Sequence, residues 1–128
     1  MVRSMPVKTF QDLQVWQKAH RLVLFTYEIT KTFPREEQYG LVGQLRRAAA
    51  SIPANIAEGY KRSGSNDYAR FINVADASLE ETKYHLILAR DLSYITPDRY
   101  YEAFALCDEV SKMLNGLYRA LTGKKNKP

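Results

Sequence analysis

Apolar side chains recur along this chain at alternating steps of three and four, and the rhythm breaks only three times. Such spacing places one stripe on an α-helix, so the chain predicts four helices and no strand. The first runs from Leu13 through Trp16, His20, Val23 and Tyr27 to Thr30, and Pro34 forces its end. A second stripe, Val15, Leu22 and Ile29, lies on the same helix with Phe25 beside it. Two stripes exceed what a four-helix core needs, so this spare one is expected to meet another subunit. The second helix is expected to start near Glu36 and Glu37, whose charge suits a helix N-terminus. Its seam is Leu41, Leu45, Ala48, Ile52 and Ile56; Pro53 should kink it and Gly59 stop it.

The third helix is expected to begin at Ser65 or Asn66 as N-cap and to carry Tyr68, Ile72, Ala75, Leu79, Thr82, Leu86 and Ala89 as far as Leu92. Thr96-Pro97-Asp98 supplies a cap, a first-turn proline and an early acid for the fourth, which reaches about Leu121 before Gly123. Helices of similar length joined by short turns give an antiparallel up-down-up-down four-helix bundle, an all-α fold. Residues 1–9 read as an extended lead, 10–122 as the bundle, and 123–128 as a basic tail.

One segment departs from plain packing. Along the second helix Arg47, Ser51, Asn55, Glu58 and Arg62 form a slightly drifting polar stripe. Arg47 and Glu58 stand ~16 Å apart along the axis, so each needs a partner from another helix. Asp76, Ser78 and Glu81 on the antiparallel third helix are the candidates. Read structurally, Arg47, Ser51, Asn55, Glu58, Ser78 and Glu81 form a hydrogen-bonded network that fixes register. Read functionally, the same stripe is a ligand site.

Composition narrows the function classes. The 128 residues fit one domain, and the formal net charge is +5. Residues 65–95 are net acidic between basic neighbours, so the surface is two-toned. The single cysteine, Cys107, allows no intrachain disulfide and suits a reducing cytoplasm. No apolar run is long enough to span a membrane. His20 and His85 lack the carboxylate spacing of a di-iron bundle, and one cysteine with two distant histidines builds no zinc site. HEPN-type ribonucleases share such a bundle but place an arginine shortly before a histidine, and neither histidine here has one. No cofactor, metal or small-molecule substrate is implied, and the expectation is a non-enzyme. Cys107, among apolar neighbours, reads as a core residue. The residues that fit polyanion binding are Arg46, Arg47, Lys61, Arg62, Lys124, Lys125 and Lys127, with nine tyrosines as stacking surfaces.

The run Phe10-Gln11-Asp12-Leu13-Gln14-Val15-Trp16-Gln17-Lys18-Ala19, the run Gln44-Leu45-Arg46-Arg47-Ala48-Ala49, and the run Asn55-Ile56-Ala57-Glu58-Gly59 carry a family resemblance. So does Ala75-Asp76-Ala77-Ser78-Leu79-Glu80-Glu81. Together they resemble the bacterial 23S rRNA intervening-sequence proteins, or S23-like proteins, from about Phe10 to Leu121. The resemblance implies an antiparallel bundle that assembles as a homopentamer and binds RNA, DNA or a nucleic acid–protein complex without catalysis. An accessory protein of diversity-generating retroelements is a similar bundle, and that resemblance implies an accessory role with a reverse transcriptase and nucleic acid. The alternative is a protein-assembly or scaffold module, an accessory role of that kind included, that binds no nucleic acid itself. Asp76 and Ala77 stand where the family's third-helix pattern has a basic residue and a glycine, which makes that face more acidic.

Overall fold

The structure, a computed structural model, describes residues 6–124. Four helices account for the described fold: α1 Gln14–Thr30, α2 Leu41–Tyr60, α3 Ser65–Asp91 and α4 Pro97–Thr122. Each packs against two neighbours in the cyclic order α1, α2, α3, α4, and α2 packs most extensively on α3. That is the antiparallel bundle the periodicity predicts, with no strand among the described residues.

Local chemistry sets the boundaries. A 3-10 turn, Phe10–Asp12, precedes α1. Thr9 Oγ1 accepts from the Gln11 N–H at 3.2 Å, and the Asp12 carboxylate accepts from the N–H groups of Lys8 (2.9 Å) and Thr9 (3.1 Å). Those two donors hold the Asp12 carboxyl below the usual carboxylate range. Leu13, in extended conformation, separates this turn from α1, so the first helix starts one step later than Leu13. α2 begins at Leu41 rather than near Glu36, because residues 35–37 form their own 3-10 turn. Glu37 still serves the helix start: its Oε1 accepts from the Leu41 N–H at 3.2 Å. The helix runs through Pro53 without interruption and ends at Tyr60. Gly64, not Ser65 or Asn66, occupies the N-cap position of α3. α4 opens as its sequence announces, with Thr96 Oγ1 accepting from the Arg99 N–H at 3.3 Å, and closes on Gly123 at φ 74°.

The core is built from Leu22, Leu45, Ile52, Ile56, Ile72, Leu79, Leu86, Val110 and Leu114, all fully buried. Val15, Leu22 and Ile29 belong to it, at 6%, 0% and 5% exposure. The stripe expected to meet another subunit is therefore the inward face of α1, continued by Ala19 and Thr26. His20 and Tyr27, expected in the seam, are exposed. Val23 and Thr30 of that seam are buried, and Thr26 enters the interior beside them as an apolar substitute: the Thr26 and Thr30 hydroxyls donate to the carbonyls of Leu22 and Thr26, each at 2.8 Å. Cys107 is likewise fully buried, and burial pushes its thiol up to about 12.

α2 and α3 approach closely at Gly59. A β-carbon there would lie 2.9 Å from both Phe71 Cβ and Tyr68 Cδ1. Only a residue without a side chain lets the end of α2 rest on the start of α3.

Candidate nucleic-acid interface

The bundle sorts its charges by end. One end gathers the N-terminal segment, the α2–α3 turn and the last turns of α4. Over residues 6–13, 54–71 and 115–124 it carries Lys8, Lys61, Arg62, Arg70, Arg119 and Lys124 against Asp12, Glu58 and Asp67, and all six cations are exposed. The opposite end, residues 28–40 and 88–102, carries Lys31, Arg35, Arg90 and Arg99 against Glu28, Glu36, Glu37, Asp91, Asp98 and Glu102. The first end is net positive and the second net negative.

Within the basic end, Arg62 and Arg70 lie over the ring of Phe71, at 4.5 and 4.7 Å from its centroid. They share one carboxylate: Asp67 is 2.9 Å from Arg70 Nη2 and 3.9 Å from Arg62 Nε. One charge of the pair is left uncompensated. Lys61 and Arg119 make no ion pair among the described residues. A groove of about 470 Å³ opens between the N-terminal segment and the end of α2, lined by Lys8, Thr9, Phe10, Ala57, Glu58, Tyr60 and Lys61. Phe10 meets Trp16 edge-on at 5.2 Å, and Trp16 stacks on His20 at 5.0 Å and 12°. Tyr60 meets Tyr68 edge-on at 6.3 Å. Burial, and then the neighbouring Tyr60, raise the Tyr68 phenol above its ordinary value.

The cations singled out in the sequence do not form one surface. Lys61, Arg62 and Lys124 share the basic end. Arg46 and Arg47 stand a further ~21 Å along α2 from Lys61. Arg46 is tied inward to α1: its Nε donates to Thr30 Oγ1 at 2.9 Å, and its guanidinium covers the Tyr27 ring at 4.5 Å. Arg47 is exposed, with its guanidinium folded back over Gly43. Lys125 and Lys127 lie outside the described residues.

The polar stripe also divides. Its centre is a bonded cluster: Ser51 and Ser78 hydroxyls are 2.9 Å apart across the α2–α3 seam. Asn55 Nδ2 donates to the Ser51 carbonyl at 2.8 Å and to its hydroxyl at 3.0 Å. Its ends are outside this cluster. Arg47 and Glu58 are exposed, and Glu81 faces His85 at 3.2 Å one turn along its own helix. The drift of the stripe carries it from the surface at Arg47, through the seam, and back to the surface at Glu58. Of the six residues expected in the network, Ser51, Asn55 and Ser78 are joined.

Sequence spacing did not single out Lys8, Phe10, Tyr60, Arg70 or Arg119. They come from four separate segments, and only the antiparallel packing brings them to one end.

Residues 11–116 match the sequence profile of the family described as 23S rRNA-intervening sequence protein. A crystal structure of a protein of unknown function from the S23 ribosomal protein family of Bacteroides thetaiotaomicron has the same fold. The two are 25% identical, with a TM-score of 0.76 over 82% of this chain and 98% of that one. No curated protein matches the chain.

Proposed function

The chain belongs to the 23S rRNA-intervening sequence protein family, and on that premise we propose that it is a non-enzymatic, self-associating cytoplasmic bundle that binds RNA through its basic end. The observation that carries this reading is the partition of charge. Six exposed cations face three carboxylates at one end, while the opposite end has an acidic surplus. Phosphates are attracted to such a surface without base specificity, by neutralisation and release of counterions. Among the described residues no helix is long and apolar enough to cross a membrane.

Self-association rests on a separate observation. Leu24 on α1 and Tyr101 on α4 are 57% and 68% exposed. The Lys18–Glu109 pair at 2.9 Å sets the register of these two helices. Leu24 is one turn from Tyr27, on the α2 side of α1, and Tyr101 adjoins Arg90, on the α3 side of α4, so the two mark separate flanks. They replace Val15, Leu22 and Ile29 as the apolar positions offered to neighbouring copies, one on each flank, and a pentamer is the assembly that the resemblance implies.

Fluorescence anisotropy with a structured RNA across a salt series tests the RNA reading. The expected result is binding at low salt whose logarithmic salt slope is steeper than about −2, as several phosphate contacts require. Absence of binding at ~50 mM salt refutes it. Native mass spectrometry tests assembly, and a monomer at micromolar concentration refutes that part alone, leaving the basic end to act in single copies.

A further inference from the structure

The groove at the basic end has a composition distinct from the rest of that surface. Its lining joins Phe10, Tyr60 and Ala57 to Lys8 and Lys61, and its volume of about 470 Å³ lies within the ~300–1,000 Å³ of ordinary small-ligand sites. Lys8 and Phe10 come to it from the N-terminal segment, Tyr60 and Lys61 from the end of α2. We propose that this groove holds an unpaired nucleotide segment of RNA, a base lying against Phe10 and Tyr60 while the flanking phosphates meet Lys8 and Lys61. The proposal rests on the RNA reading above and adds to it a location and a preference for single strands.

Three features of the groove support that occupant. The first is preorganisation. The Thr9–Asp12 capping interactions fix the backbone of Lys8, and Phe10 is braced by Trp16, itself stacked on His20. A base meeting a ring already held in place orders little further protein on binding. The second is the pairing of two aromatic rings with two lysines in one lining. Every base offers an apolar π-face and every linkage a negative charge, so this combination suits single-stranded nucleic acid whatever its sequence. The third is access. Bases within a duplex are stacked on their neighbours and cannot lie against Phe10 and Tyr60, so a duplex is left with the charges alone. Glu58, exposed in the same groove, opposes the phosphates and sets a limit on affinity.

The test compares a single-stranded oligouridylate with an RNA hairpin duplex on the full chain. Trp16, the only tryptophan, serves as reporter because it touches Phe10. The oligouridylate is expected to change Trp16 fluorescence and to bind about tenfold tighter than the duplex. Tyr60→Ala is expected to weaken the oligouridylate about 5- to 100-fold. Tyr60 is half-buried, so exposed positions carry the test independently of folding. Lys8→Gln and Lys61→Gln should each flatten the salt slope by about 0.7, and Glu58→Gln should tighten binding, all with unchanged melting. Equal affinity for strand and duplex would overturn the proposal, as would an unchanged slope in the double lysine variant. Burial of Trp16 and Tyr60 by a second copy would also overturn it, the groove then being a subunit contact. If the groove variants bind RNA as the parent does, only the groove is lost. If the parent binds no RNA at low salt, the broader reading fails as well.

Discussion

The Tyr94 hydroxyl donates to Glu37 Oε2 at 2.9 Å, across 57 positions of sequence. Glu37 uses its other oxygen to accept from the Leu41 N–H. A single carboxylate therefore caps α2 and ties the α3–α4 turn to the α1–α2 connection, with Phe33 packed on the Tyr94 ring at 5.5 Å. Removing the hydroxyl with Tyr94→Phe should lower Tm by roughly 2–5 °C while keeping the ring contact. The bond to Glu37, more than burial, raises the Tyr94 phenol above its ordinary value. A raised value in the folded state means that this contribution is whole below pH 10 and is lost as pH rises through the folded value. Thermal melts of parent and Tyr94→Phe should therefore differ at neutral pH and converge in strong alkali.

Gly59 closes the family-bearing run Asn55-Ile56-Ala57-Glu58-Gly59 for a packing reason. Gly59→Ala places a methyl group 2.9 Å from Phe71 Cβ and Tyr68 Cδ1, and 3.2 Å from the Tyr68 carbonyl oxygen. Backbone and near-backbone atoms cannot swing aside, so α2 must lift from α3. Chemical denaturation should show a loss of about 1–3 kcal/mol. A neutral result would mean that the close approach is dispensable.

Leu22 and Leu24 differ by two positions and lie at opposite extremes of exposure, 0% and 57%. Leu22→Ala should cost about 2–5 kcal/mol, through lost burial and the cavity left behind. Leu24→Ala should change stability by no more than about 0.5 kcal/mol. If Leu24 meets a second copy, its substitution should instead shift the assembly equilibrium, which sedimentation would detect.

Cys107 should be inert in the folded protein. With its thiol pushed up to about 12 by burial, almost no thiolate is present at pH 8. A thiol reagent should modify it only through unfolding, so labelling rates followed against denaturant should report the opening equilibrium. The unfolded thiol ionises near pH 9 and the folded one does not, so this burial favours the folded state less as pH rises between the two values.

The bundle was legible in the sequence wherever a local signal and a global need coincided. Thr96-Pro97-Asp98 and Gly123 mark the ends of α4 because capping is decided by adjacent residues. The facing of α1 was not legible, because its two stripes are about equally apolar by composition. Trp16, His20 and Tyr27 tolerate an edge position, while Thr26 and Thr30 hide their hydroxyls on their own backbone. Periodicity gives the repeat of a stripe and not its direction. The polar stripe was over-read for a related reason: each step of four drifts by ~40°, so Ser51 and Asn55 turn into the seam while Arg47 and Glu58, within ~20° of each other, stay in water. The basic end was invisible for another reason. Its cations come from segments far apart in sequence, and no window contains them.

The two ends of opposite charge have a consequence before any contact is made. In an antiparallel bundle the four helix macrodipoles cancel in pairs, so the surplus of side-chain charge alone sets the molecule's electric moment along its long axis. Near a polyanion that moment exerts a torque. The protein is turned while still diffusing, and it arrives with the basic end leading and the acidic end trailing. Orientation during the encounter, rather than strength of grip, is then the first thing that the sorting of charge along the bundle provides.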